Sequence, residues 1–300
     1  MSQLPSQVTI REVALRDGLQ IEQPIPLQAK LELLEAIAAT GVREVEATAF
    51  VSPSKVPAMA DAAEVAAALS RYPDIDFSAL VASPNGAKRA ITAGLRSIEF
   101  VVSASDRFSH RNVGRSSEEA TVQIEEIVLL AHDDGVSVEV IIACAWDCPF
   151  EGPTPSGRTV EIVRRARDYG VDRIALADTI GTTTPRRTVE LIDEARAVVD
   201  DIPFGAHFHN TRGTGLASAY AAVQAGITRL DASVGGLGGC PFAPGATGNI
   251  ATEDLVYMLR DSGIDTGVDL DATIGAARVA QQAVGHDLPG ALLRAGDRLR

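Results

Sequence analysis

Short β-branched runs alternate with amphipathic stretches along the whole chain. Runs at 8–13 (VTIREV), 43–48 (REVEAT), 76–82 (DFSALVA), 97–103 (SIEFVVS), 137–144 (SVEVIIAC), 172–177 (DRIALA), 203–209 and 229–234 (RLDASV) predict eight strands. Between and after them, helical patterns fall near 27–40, 61–71, 85–93, 116–134, 156–169, 185–199, 213–225 and 272–284. Several open on Pro or Ser and close on Gly, as at Thr40-Gly41, Ala93-Gly94, Tyr169-Gly170 and Ala225-Gly226. Strand-helix repetition of this kind implies parallel pairing through right-handed crossovers. Eight such units predict an α/β fold, a (β/α)8 TIM barrel occupying residues 1–300 as one domain, with an extra helix at Thr252 to Asp261 after the last strand. A doubly wound sheet would carry a Gly-rich first turn. The first turn here is Leu15-Arg16-Asp17-Gly18-Leu19-Gln20.

In barrels the chemistry gathers at the C-terminal ends of the strands, and the polar residues of this chain map there. Arg16 and Asp17 end the first predicted strand, Glu46 lies late in the second, Asp178 ends the sixth, and His207 and His209 end the seventh. In a strand, side chains two residues apart leave the same face, their Cα atoms roughly 6–7 Å apart, so both imidazoles can meet one cation. Alone, a His-x-His pair is as well read as two strand-end histidines. With Asp17 and Asn249 it becomes a set of two nitrogens and two oxygens, which suits Mg²⁺ or Mn²⁺, with Zn²⁺ or Co²⁺ also able to bind the imidazoles. Each of the others has a plain reading too. Asp17-Gly18 could be a turn, Glu46 a buried carboxylate paired with Arg16, and Asp178 the cap of a turn before Thr184-Pro185. Their convergence on one end of the barrel favours a site.

Residues 235–249, GGLGGCPFAPGATGN, hold six glycines and two prolines around Cys240. The plain reading is a flexible surface loop; against it stands Cys240, since a mobile loop that delivers a thiol is a familiar way to close a site. The pattern is not a dinucleotide fingerprint, because Pro241 stands where a third glycine would be needed.

The composition adds exclusions. With 27 basic and 40 acidic residues the net charge is −13, which disfavours nucleic acid and anionic membranes as partners. No apolar run is long enough to span a bilayer, and the first ten residues lack a basic and apolar leader, so a cytoplasmic protein is expected. Three cysteines, Cys144, Cys148 and Cys240, fit reduced thiols. A homo-oligomer, dimer or tetramer, is the expected assembly.

Leu15-Arg16-Asp17-Gly18-Leu19-Gln20, Ala49-Phe50-Val51-Ser52-Pro53, Cys148-Pro149-Phe150-Glu151-Gly152, Asp178-Thr179-Ile180-Gly181, the His-x-His pair and Ser233 through Phe242 together resemble the 3-hydroxy-3-methylglutaryl-CoA lyase family, over residues 8 to 285. The resemblance implies a divalent-metal-dependent barrel, with a place in leucine degradation, that cleaves this small-molecule acyl-CoA substrate into acetoacetate and acetyl-CoA. It implies metal ligation by Asp17, His207, His209 and Asn249, and enolate stabilisation by Arg16. It further implies proton transfer by Cys240, with Glu46 and Asp178 orienting the groups around them. His207 and Asp17 are both candidates for accepting the hydroxyl proton. Asn210-Thr211-Arg212-Gly213 and Val81-Ala82-Ser83-Pro84-Asn85 depart from the family pattern at the mouth of the site. The acyl group is therefore open, and a related 3-hydroxyacyl-CoA is an alternative. So is a synthase of the isopropylmalate or homocitrate type, although such relatives carry Gly-Glu-Arg where this chain has Gly-Gly-Cys. A metal-binding regulatory barrel would need neither Arg16 nor Cys240.

Overall fold

Alternation of inward and outward residues is what turns these strands into a barrel. A computed structural model describes residues 4–199, 201–239 and 248–298. Among them, eight parallel strands close on themselves in the order β1-β8-β7-β6-β5-β4-β3-β2. They are β1 (Thr9–Glu12), β2 (Glu44–Phe50), β3 (Asp76–Val81), β4 (Ser97–Ser103), β5 (Ser137–Ala143), β6 (Arg173–Asp178), β7 (Phe204–Phe208) and β8 (Arg229–Ala232). The expected (β/α)8 fold is what the chain adopts. The helices α1 (Leu27–Ala38), α2 (Ala62–Ala68), α3 (Pro84–Thr92), α4 (Asp106–Val113), α5 (Ser117–Asp133), α6 (Ser156–Asp168), α7 (Pro185–Arg196), α8 (Gly215–Gln224), α9 (Thr252–Asp261) and α10 (Leu270–Val284) form the outer layer, and α10 packs against α1 to complete the ring. A short α11 (Ala291–Ala295) follows. None of these helices is long and apolar enough to cross a membrane.

Local chemistry sets the helix ends. At α5, the Ser116 hydroxyl accepts from the Glu119 amide while the Glu119 carboxylate accepts from the Ser116 amide, which satisfies two otherwise orphaned donors. Helix α4 has no apolar stripe. It buries Phe108, and its ends are capped, Ser105 Oγ accepting from Phe108 N and Gly114 adopting a left-handed φ of 77°.

The apolar core lies between strands and helices. Ile10, Ile98, Val140, Leu176 and Leu230 on the outer strand faces pack with Leu33, Ile37, Ile124, Val163 and Ile192 of the helices. The lumen differs. Barrels commonly fill it with branched aliphatic layers, whereas here Arg11 from β1 is a buried hub. Its Nε and Nη2 donate to Asp231 of β8 at 2.8 and 2.7 Å, and its Nη1 donates to Glu139 of β5 at 2.7 Å and to Glu99 of β4. Arg229 below donates to Glu139 at 2.6 Å and to Glu44. Such a lumen is costly to desolvate and is stable only while every charge keeps its partners.

Candidate active site

β1 ends at Glu12, so Arg16 and Asp17 do not end the strand as the sequence suggested; they ride on a five-residue turn, Ala14–Gly18, that follows it. Glu12 fixes that turn to the opening of the glycine-rich segment. Its Oε1 accepts from the Ala14 amide at 2.9 Å and the Val234 amide at 3.1 Å, and its Oε2 from the Thr252 hydroxyl at 2.6 Å. Burial pushes the Glu12 carboxyl up to about 7 against those hydrogen bonds.

Asp17 sits at the centre of the cluster. Its Oδ1 accepts from Arg16 Nη1 at 2.8 Å and Gln20 Nε2 at 2.7 Å, leaving Oδ2 to accept from Asn249 Nδ2 at 2.8 Å and to face His209 Nε2 at 3.7 Å. Burial would raise its carboxyl, but the Arg16 guanidinium, with the imidazoles of His207 and His209 beside it, outweighs that and holds it well below the usual carboxylate range. An ionised carboxylate is the form that binds a cation. The imidazoles of His207 and His209 lie 5.1 Å apart between ring centres. One ligand-type atom from each of Asp17, His207 and His209 falls within 4.8 Å of the others, all three residues being buried.

Asn249 is brought in by the backbone. It bridges antiparallel to His209, with Ile250 N donating to Phe208 O and Asn210 N to Gly248 O. Gly238 makes room: its φ is 127°, and a Cβ there would stand 2.7 Å from Asn249 Nδ2.

Two observations show that this donor set fits a divalent cation. Asn249 Oδ1 and His209 Nδ1 are buried without a hydrogen-bond partner, an arrangement that normally has a reason. His207 Nδ1 lies 3.1 Å from Asp231 Oδ2, which fixes a tautomer whose Nε2 lone pair is free to ligate. Asp231 is in turn gripped by Arg11, so the hub of the lumen sets the orientation of the imidazole. Neither Asp231 nor Arg11 stood out in the sequence. Asp231→Asn is expected to weaken divalent-cation affinity by about 10- to 100-fold, the usual cost of losing a carboxylate behind a ligating histidine. Titration of Mn²⁺ into wild type and variant measures it, and equal affinities would remove Asp231 from the site.

Glu46 is the third residue of β2, lower in the lumen than its expected late position. Its Oε1 lies 2.5 Å from Arg16 Nε, so the guanidinium is clamped between Glu46 and Asp17. Burial and the neighbouring Glu99 push the Glu46 carboxyl well up against the pull of Arg16, while Arg11 holds Glu99 down against its own burial. Asp178 does end β6, and its carboxylate caps a turn. Its two oxygens accept from the Thr182 and Thr183 amides at 3.0 and 2.9 Å. Cys240 lies outside the described residues. Gly239, its neighbour, lines the same cavity of about 1400 Å³ as Arg16, Asp17, His207 and His209. Cys144 and Cys148 are buried with Phe108 and Ile180, and the Cys148 thiol accepts from Ser105 Oγ at 2.9 Å.

The mouth of the cavity is cationic in a chain that is acidic overall. Lys55, Arg89, Arg111 and Arg115 line it. Arg111 stacks over Phe150 at 4.4 Å and Arg89 over Phe50 at 5.6 Å, which orders the two guanidiniums without neutralising them.

The sequence model named HMGL-like matches residues 7–280. Bovine mitochondrial hydroxymethylglutaryl-CoA lyase is 39% identical over 284 residues, covering 93% of this chain and 86% of that protein. An (R)-citramalyl-CoA lyase from Chloroflexus aurantiacus is 39% identical over 300 residues, covering 96% and 95%. Among solved structures, an HMG-CoA lyase from Acinetobacter baumannii, in complex with coenzyme A and 3-methylmalate, superposes with a TM-score of 0.94 at 36% identity over 100% of this chain and 98% of that one. Barrel, metal-type cluster and near full-length similarity agree: the chain belongs to the HMGL-like family.

Proposed function

We propose that this protein is a divalent-metal-dependent carbon–carbon lyase that cleaves 3-hydroxy-3-methylglutaryl-CoA to acetoacetate and acetyl-CoA. The observation that carries the reading is the clamped Arg16 guanidinium next to the Asp17, His207 and His209 cluster, inside a cavity whose mouth is cationic. Asp17, His207, His209 and Asn249 would hold the cation. When bound, it supplies Lewis acidity that lowers the pKa of the substrate's tertiary hydroxyl.

Cleavage breaks the C2–C3 bond. The hydroxyl proton passes to a base, for which His207, or Asp17 through water, is the candidate; C3 becomes the ketone carbon of acetoacetate, and the bonding electrons pass to C2 and the thioester oxygen. Arg16, held at two points, presents a fixed charge to that oxygen as it becomes negative, and a preorganised donor of this kind acts on the transition state more than on the ground state. A proton must then reach C2, and Cys240 is assigned to deliver it. The guanidiniums at the mouth suit the phosphates of CoA.

Cys240→Ser is expected to lower kcat by on the order of 10²-fold or more, the scale of a lost proton-transfer group. Cys144→Ser should retain activity, since that residue packs in an apolar cluster that contains none of the candidate ligands. Equal losses in both would contradict the assignment.

The similarity to a citramalyl-CoA lyase supports one other substrate. Incubating the protein with Mg²⁺ and either thioester separates the readings by product. Acetoacetate with acetyl-CoA supports the first choice, and pyruvate with acetyl-CoA from citramalyl-CoA alone supports the second. Consumption of acetyl-CoA with a 2-oxo acid would establish a synthase instead.

A further inference from the structure

Above the Arg11 network the lumen has two unlike sides. The turn after β1, the end of β7 with the residue beyond it, and the segment after β8 supply Arg16, Asp17, His207, His209 and Asn249. β4, β5 and β6 supply Val101, Ile141 and Ala177, with Ala175 beneath. The second set forms a continuous shelf, because Val101 pairs across strands with Ile141, Ile141 with Ala175, and Ala177 with His207. Two residues earlier on β4 and β5 stand Glu99 and Glu139, which both contact Arg11. The period of two therefore keeps Val101 and Ile141 facing the lumen.

Ile141, Ala175 and Ala177, with Val101 against them, make an apolar cluster separate from the main core. Val101, Ile141 and Ala177 also line the cavity that holds the metal-type cluster. Their outer boundary is thus the substrate space itself. No side chain on the shelf donates or accepts a hydrogen bond.

We propose that the shelf receives an alkyl substituent on the hydroxyl-bearing carbon of the substrate, so that the site takes 3-hydroxyacyl-CoA thioesters whose C3 group is larger than methyl. This rests on the lyase reading above. Of the four groups on that carbon, the hydroxyl and the carboxylate arm need the metal ligands, and the thioester arm needs Arg16 and the cationic mouth. Only the alkyl group has no polar atom, and a polar arm laid on the shelf would be desolvated with nothing to pair it. Alanine at two of the four positions leaves the shelf shallow beside His207. Val101, only partly buried, faces the open part of the cavity.

The test is kcat/KM for thioesters with methyl, ethyl and propyl at C3, with Mg²⁺ present. Burial of each added methylene is expected to raise kcat/KM roughly three- to fourfold. A flat or falling series, with the methyl compound cleaved, overturns the proposal and leaves the lyase reading standing. Failure to cleave any member overturns both. In Val101→Phe, which fills the open part of the shelf, the propyl-to-methyl ratio should fall by about tenfold or more. An unchanged ratio in that variant, with its methyl activity measurable, also counts against the shelf.

Discussion

Asp17→Ala is expected to lose divalent-cation binding and to lower kcat by on the order of 10³-fold or more, equivalent to several kcal/mol of lost charge stabilisation. The effect should be this large because Asp17 serves four neighbours. Arg16, Gln20 and Asn249 all donate to it and His209 faces it, so alanine removes a ligand and unseats the groups around it. Asp17→Asn separates the two contributions. It keeps the size and one acceptor oxygen but has no negative charge. A loss close to that of alanine would show that the charge is what matters, whereas turnover near wild type would contradict the assignment of Asp17 as a ligand.

Arg16→Lys should lower kcat by roughly 10²- to 10³-fold while KM changes little, the range seen when a preorganised oxyanion donor is removed. Charge is conserved in this variant, but geometry is not. The guanidinium reaches Glu46 through Nε at 2.5 Å and Asp17 through Nη1 at 2.8 Å, and a single ammonium cannot hold both while presenting a second donor to substrate. Steady-state kinetics on the cleaved thioester measures this. A rise in KM with kcat intact would mean that Arg16 binds substrate without acting on the transition state.

The fold was legible because barrel strands and their helices differ in period. VTIREV and SVEVIIAC alternate, the segments between them repeat every three to four residues, and α9 appeared at the predicted Thr252 to Asp261. Helix α4 escaped notice because DRFSHRNV has no apolar stripe and depends on Ser105 and Gly114 at its ends. The Ala14–Gly18 turn escaped because its local hydrogen bonding leaves no periodic signature, and it moved Arg16 and Asp17 beyond the strand that seemed to end with them.

The candidate ligands were readable from residue type and position, since His207 lies near the end of β7 and His209, Asp17 and Asn249 follow strands at the same end of the barrel. The layer that orients them was not. Arg11, Glu99, Glu139 and Asp231 occupy alternate strand positions that in an open sheet would be a solvated face. Closure makes that face the lumen, where their charges must pair with one another. Asp178 and Glu46 take up the plain chemistry the sequence offered, for Asp178 caps its turn and Glu46 pairs with Arg16.

The claim at the centre of this account is that one divalent cation, held by Asp17, His207, His209 and Asn249, is required for cleavage. Its most direct test is to strip the protein with a chelator, titrate Mn²⁺ back, and record bound Mn²⁺ and turnover of 3-hydroxy-3-methylglutaryl-CoA on the same samples. The account predicts a single site per chain, with turnover rising in proportion to its occupancy and both lost in His207→Ala. Full turnover after exhaustive chelation, or in His207→Ala, would contradict it.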